Sequence, residues 1–376
     1  MLHNNRKPAI SRRTLLGAAL GALPSRLAFS QASLPLKVGF LTVNTGPLAA
    51  GGKQQMEGAA FYLKERGGMI AGRKVELITQ DTAGSPAVAR TKTQELVERY
   101  SVPVMIGPLA TNEALAIDSY IRDTKVPLIT TTSAATVDLK SHAVNPWVLH
   151  AFGTAPQVTY PLGDYAAKTL HFKRMTIVAE DFTYGHEGAG GFQLAFEGAG
   201  GKIVQKLWPP LNAPDYAPYL AQIKSDVDGI YMGFAGSNPL RFLKQFNEYG
   251  LKGKIAVLAN TTSTDEGILK LMGEEAVDTF SAGWYAAGLD TADNRKFVAG
   301  INADYQHGPG FYTAGPYTAL LIIEEALKAT GGNTDDAAAF LKAMHDVRLA
   351  MDRSDSCGLT STGRRSSIST SAKWRA

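Results

Sequence analysis

The chain predicts an α/β protein of two lobes, each a parallel sheet flanked by helices. Short apolar runs closed by turn residues recur along it, such as 102–106 (VPVMI) and 128–129 (LI). Runs of this kind suit buried parallel strands, with the segments between them as crossover helices. Repeated β–α units imply parallel sheets with right-handed crossovers, and their number in 376 residues exceeds one comfortable sheet. Hydrophobic residues at 45% and charged residues at 19% are ordinary globular composition.

In chain order, residues 37–43 (KVGFLTV) form the first strand, followed by a turn at 44–47 and a Gly-rich loop at 49–52. A helix then runs to Glu65. The loop matches neither GxGxxG nor GxxxxGK[ST], which disfavours a nucleotide cradle. Residues 74–79 are a second strand, and Ser85-Pro86 opens a helix ending near Tyr100, with Pro at its first turn. Strand 102–106, helix 112–123 and strand 128–129 follow. After each of these strands come hydroxyls and backbone N–H groups, Ala110-Thr111-Asn112 and Thr131-Thr132-Ser133. Carboxyl ends of strands are where open α/β sheets bind ligands, and helix N-termini suit anions. The same residues equally suit plain caps and turns.

Residues 147–152 then read as a strand leaving the first lobe. Next come helix 157–170, strand 175–180, a helix opening at 181–185 (DFTYG), and strand 202–207. Residues 215–224 are amphipathic and helical, 229–233 a strand, and 238–249 a helix closed by Gly250 as a left-handed cap. Strand 255–259 and a crossing segment at 280–285 precede two helices, 291–305 and 313–329.

The seven histidines lack metal-ligand spacing, and a single cysteine, Cys357, cannot form an internal disulfide. No metal and no cofactor is expected. Residues 1–32 carry five basic side chains and no acid, an apolar stretch at 14–23 too short to span a bilayer, and small residues before a cleavage position near Ala32. Arg12-Arg13 gives this signal peptide a twin-arginine look, with ordinary Sec export as the alternative. Without residues 1–32 the net charge falls from +4 to −1, and no basic patch with interleaved aromatics remains to hold nucleic acid.

The strand–loop series IGPLATNEA…VPLITTTSAA, together with residues 38–68, 181–192 and 215–250 in that order, resembles the type I periplasmic solute-binding proteins of ABC importers. The nearest part of that family is the branched-chain amino acid and aromatic-acid receptors, and the likeness covers roughly residues 36–348. It implies a periplasmic monomer that holds a small carboxylate between its lobes, closes about a hinge and delivers the ligand to a permease and ATPase, without chemistry. The implied domains are a signal peptide at 1–32, lobe 1 at 33–152, lobe 2 at 153–283, a return to lobe 1 at 284–349 and an aberrant tail at 350–376. By this analogy Ala110, Thr111, Asn112, Thr131, Thr132 and Ser133 surround the carboxylate. Tyr184, Phe234, Asn260 and Trp284 face it from across the cleft. Core packing is the competing role for Phe234, Trp284 and Tyr184.

Amino-acid receptors of this group pair the ligand ammonium with a second-lobe acid. The corresponding loop here reads ANTTST before its first acid, Asp265, which favours a carboxylate lacking an α-amine. Two other classes compete: a sensory ligand-binding module and a Rossmann-type enzyme, for which neither a dinucleotide fingerprint nor a GxSxG elbow appears. Residues 350–376 lose periodicity and are serine-rich. The family ends in two strands, and a shifted frame across 357–374 accommodates such an ending, so a frameshift is one origin of this tail and natural disorder the other.

Overall fold

The computed structural model describes residues 1, 34–132, 144–349, 357–358 and 372–373. The expected export signal, Ser133 and most of the tail lie outside the described residues.

Six strands make the first sheet: β1 (Leu36–Thr42), β2 (Met69–Ile70), β3 (Arg73–Asp81), β4 (Met105–Ile106), β5 (Leu128–Thr130) and β6 (Val148–His150). Their spatial order is β2-β3-β1-β4-β5-β6, parallel throughout except for β2 against β3. Helices α1 (Ala49–Glu65), α2 (Pro86–Gln94, continued by a π turn at Glu95–Arg99) and α3 (Thr111–Thr124) connect them.

A second sheet holds β7 (Arg174–Ala179), β8 (Lys202–Leu207), β9 (Gly229–Gly233), β10 (Ala256–Asn260) and β11 (Phe280–Ala282). Its helices are α4 (Ala155–Lys168), α5 (Thr183–Gly198), α6 (Ala217–Leu220), α7 (Asn238–Glu248) and α8 (Glu266–Met272). The chain then forms α9 (Ala292–Tyr305), α10 (Phe311–Ala329) and α11 (Ala337–Asp346). Buried side chains of α10 and α11, including Leu320, Ile323 and Phe340, share a core with Phe40 of β1 and Tyr62 of α1. The last helices thus cover the first sheet. Two-residue strands finish the described chain: β12 (Arg348–Leu349) pairs with β13 (Cys357–Gly358), and β14 (Ala372–Lys373) runs antiparallel to β11 at the edge of the second sheet.

Both sheets have an interior switch point. In the first, β3 lies to one side of β1 and β4 to the other. The second has the order β14-β11-β10-β9-β7-β8, so β8 and β9 flank β7. Loops leaving neighbouring strands in opposite directions open a crevice there, beyond the strands' carboxyl ends.

Several elements differ from expectation. Residues 49–52 are not a loop but the first turn of α1. Gly52 is required there because a Cβ would lie 1.7 Å from the Val43 carbonyl oxygen, so the helix packs directly on the end of β1. The helix expected over 215–224 shrinks to the single turn α6. Beyond it, Gln205 of β8 takes over the backbone, accepting from the Lys224 N–H at 3.1 Å and donating to the Gln222 carbonyl at 2.7 Å. The short β2, α8 and α11 are additions.

Candidate functional site

The two switch points face one another, and the loops leaving them line a small, partly open cavity. From the first sheet come Leu48, Leu109, Ala110, Thr111 and Thr132, and from the second Phe182, Tyr184, Ala235 and Thr262. Tyr312, in the first turn of α10, closes the ring. None of these ten side chains is charged.

On the first side, α3 begins at the cavity wall. Its N-cap is Ala110, whose N–H donates to Oε2 of Glu113 at 3.0 Å, so no hydroxyl is spent on capping the helix. Thr111, the first residue of α3, lines the cavity beside N–H groups that a helix's first turn leaves without intrahelical partners. Thr132 is held more tightly. Its oxygen accepts from Gln55 Nε2 at 3.1 Å, and its proton goes to the Leu109 carbonyl at 2.8 Å. Thr131 accepts from the same amide at 2.9 Å, and Gln55 Oε1 accepts from Thr42 at 2.8 Å. Gln55 thereby fixes two consecutive threonines from a fully buried position on α1.

On the second side, Tyr184 sits in the first turn of α5, 5% exposed, with Phe182 beside it at 6.0 Å between ring centroids. Burial pushes the Tyr184 phenol well above its usual range, so it stays protonated; its hydroxyl lies beside Thr262. Thr262 donates its own proton to the Phe234 carbonyl at 2.6 Å. Ala235 is held from behind by Glu180, whose Oε2 accepts the Ala235 N–H at 2.9 Å while Oε1 accepts from Asn238. Burial raises Glu180 to about 8.

The two sides touch. Gly236 has φ +60, and a Cβ on it would stand 2.3 Å from the Pro47 carbonyl oxygen. The loops 47–48 and 235–236 are thus the lips of the cleft, pressed backbone to backbone.

Of the expected site residues, the structure brings Ala110, Thr111, Thr132 and Tyr184 to the cavity. Thr131 sits behind it on Gln55, and Asn112 is one position further along α3. Phe234 is fully buried, stacked on Phe242 at 4.5 Å and edge-on to Tyr216 at 5.2 Å. Asn260 caps the short 3-10 turn Thr261–Thr264, accepting from the Ser263 N–H at 3.1 Å. Trp284 stacks on Phe311 at 4.8 Å in the core beside the cleft. Leu48, Leu109, Phe182, Ala235, Thr262 and Tyr312 were not foreseen. Ala235 and Thr262 lie one and two residues from Phe234 and Asn260, so the loops were legible and the facing positions were not.

Asp265 does not line the cavity. Fully buried, it caps α8 by accepting the Gly267 N–H at 3.0 Å, and it also accepts from the Tyr312 N–H at 3.4 Å at the start of α10. Burial nonetheless raises it to about 6. Glu266 beside it, raised by burial and then by the Asp265 charge to about 8, accepts the Ala287 N–H at 2.9 Å. Both carboxyls serve backbone. Among the described residues no group of His, Cys, Asp or Glu could hold a metal ion, and no helix is long and apolar enough to cross a membrane.

Two α/β lobes closing on a neutral, hydroxyl-lined cavity define a cleft-type binding protein. The comparisons agree: a family model described as periplasmic binding protein matches residues 35–366, and the chain belongs to that family. Leu/Ile/Val-binding protein homolog 6 of Brucella suis is 30% identical over 81% of this chain and 78% of its own. An ABC transporter substrate-binding protein from Sphaerobacter thermophilus is 31% identical with a TM-score of 0.77, covering 84% of this chain and 86% of that one. A solute-binding protein of an ABC transporter from Rhodopseudomonas palustris BisB5, solved with 3,4-dihydroxybenzoic acid, is 31% identical with a TM-score of 0.79 and the same coverage.

Proposed function

We propose that this protein is the extracytoplasmic receptor of an ABC importer, capturing a small carboxylate by lobe closure and performing no chemistry on it. Aromatic or other organic acids are preferred over branched-chain amino acids. The absence of an acid from the described cavity wall carries this preference. A zwitterionic ligand brings an ammonium whose burial without a partner is costly, and the acid nearest in sequence, Asp265, is committed to two helix N-termini. An aromatic carboxylate needs only donors at one end, supplied by Thr111 and the α3 N-terminus, and apolar walls at the other, supplied by Phe182, Tyr184 and Tyr312. The 3,4-dihydroxybenzoic acid bound to the Rhodopseudomonas relative has this chemistry.

The ligand contacts belong to the same proposal: Ala110, Thr111, Thr132 and Tyr184 directly, with Thr131, Phe234, Asn260 and Trp284 supporting the walls. So do export by residues 1–32, the permease and ATPase partners, and the lobe boundaries near 152 and 283. A frameshifted origin for 350–376 is decided by the DNA sequence across those codons. Titration calorimetry with benzoate, 4-hydroxybenzoate, 3,4-dihydroxybenzoate, leucine and valine tests the ligand class. Micromolar or tighter binding of at least one benzoate, with leucine and valine weaker by tenfold or more, is expected. Tight leucine or valine binding with no benzoate bound would overturn it.

A further inference from the structure

An anion-binding cavity with a buried acid beneath its floor is an electrostatic conflict, and Glu113 poses it. Its side chain is fully buried on the inner face of α3 and grips the Ala110 N–H, directly under the wall formed by Ala110 and Thr111. The second carboxyl oxygen, Oε1, is buried near Thr82 without a hydrogen bond of normal geometry. The Thr82 hydroxyl lies 3.1 Å from the Thr42 carbonyl oxygen, which also accepts the Thr82 N–H at 2.9 Å. An ionised Glu113 would hold a buried charge on a single donated bond, from the Ala110 N–H, whereas the neutral acid leaves less charge unsatisfied.

The one charged side chain acting on Glu113 among the described residues is Asp81, at the end of β3, and it is also an acid. Asp81 is held ionised by the N–H groups of Asn44 and Ala83 and the Thr45 hydroxyl, each at 2.9 Å. Among the described residues no cation acts on Glu113. On the other side of the cavity, Glu180 holds Ala235 in the same manner, with Asn238 and Arg241 beside it. Glu180 receives two donated hydrogen bonds, but its burial outweighs them and raises it further than Glu113.

Building on the ligand class proposed above, we propose that Glu113 is a specificity-determining residue that makes the site select anions by binding a proton together with the ligand. Neutral Glu113 leaves the α3 N-terminus free to hold a carboxylate. An ionised Glu113 repels it through the shared backbone, so binding draws a proton from solvent onto Glu113. All the partners that set this behaviour, Ala110, Thr82 and Asp81, belong to the first sheet and its loops, so it persists when the lobes part. Burial supports the assignment by raising the group to about 7, which places the coupling above neutrality.

Benzoate is the probe, because it has no group titrating between about pH 6 and 9. Calorimetry is run across that range in two buffers of different ionisation enthalpy. The wild-type protein should take up close to one proton at the alkaline end, with Kd rising toward tenfold per pH unit. Glu113→Gln keeps the bond from the Ala110 N–H and the shape of the neutral acid, so it should fold, match wild-type affinity at about pH 6, and show a flat profile with no uptake. A wild-type profile without proton uptake overturns the inference while leaving the ligand class standing. A slope that persists in Glu113→Gln and disappears in Glu180→Gln overturns the assignment to Glu113. Failure of benzoate and its hydroxylated relatives to bind at any pH overturns the ligand class and this inference with it.

Discussion

Gln55 shows how one buried amide sets the chemistry of two cavity threonines. Its Nε2 occupies the lone pairs of Thr131 and Thr132 and its Oε1 takes the Thr42 proton. Replacement by Leu removes three buried hydrogen bonds and strands Thr42, a loss of roughly 1–3 kcal/mol by ordinary unsatisfied-group costs. The Gln55→Leu protein is expected to melt several degrees lower and to bind benzoates about tenfold more weakly, as Thr132 loses its fixed rotamer; thermal melts and calorimetry check both. Sequence reasoning did not find Gln55, although a glutamine pair on the sheet-facing side of an otherwise small-residue helix was a visible signal. Thr111, Thr132 and Tyr184 were readable because they follow strand ends directly. The partners that fix their protons come from distant elements, and spacing along a chain carries no record of those.

At the scale of elements, β9 and α7 show why a loop can be recognised and its facing residue missed. Consecutive residues of an extended segment point to opposite sides. Phe234 therefore turns into the aromatic stack with Tyr216 and Phe242, while Ala235 turns to the cleft. Phe234→Ala is expected to cost about 3–5 kcal/mol through the void it leaves in the second lobe's core, while folded protein keeps its benzoate affinity within a few-fold. Denaturant melts and calorimetry on the same sample separate the two effects; affinity falling in proportion to stability would return Phe234 to the ligand's surroundings. Most strands and long helices followed from apolar runs and their terminators. The exceptions have local causes. Helix α11 begins at Asp336, which caps the Ala339 N–H at 3.0 Å, a start signal close to a Gly-Gly-Asn turn that drew attention away from it. Helix α8 is brief and depends on Asp265 as its cap.

Over the whole molecule, four buried carboxyls share one property. Asp265 is raised to about 6, Glu113 to about 7, and Glu180 and Glu266 to about 8, in every case by desolvation first. Each holds its proton more tightly folded than unfolded, where such groups titrate near 4. Between about pH 4 and 8 the native state therefore binds more protons than the unfolded one, and stability falls as pH rises. The melting temperature is expected to be highest near pH 5 and to drop by several degrees by pH 8.5; scanning calorimetry showing a maximum at the alkaline end would contradict this. Two lobes were legible because the β–α units outnumbered a single sheet. Closure about a hinge was implied by the family resemblance, but the contact at the cleft mouth was not legible, since it is one backbone meeting another at Gly236 and Pro47. That meeting has a kinetic meaning. For a ligand held as proposed above, the lip contact must open before the lobes can release it. Its residence time is then the waiting time for a mechanical event, and a transporter that levers loop 235–236 away from loop 47–48 can unload the cargo without competing for any bond that holds it.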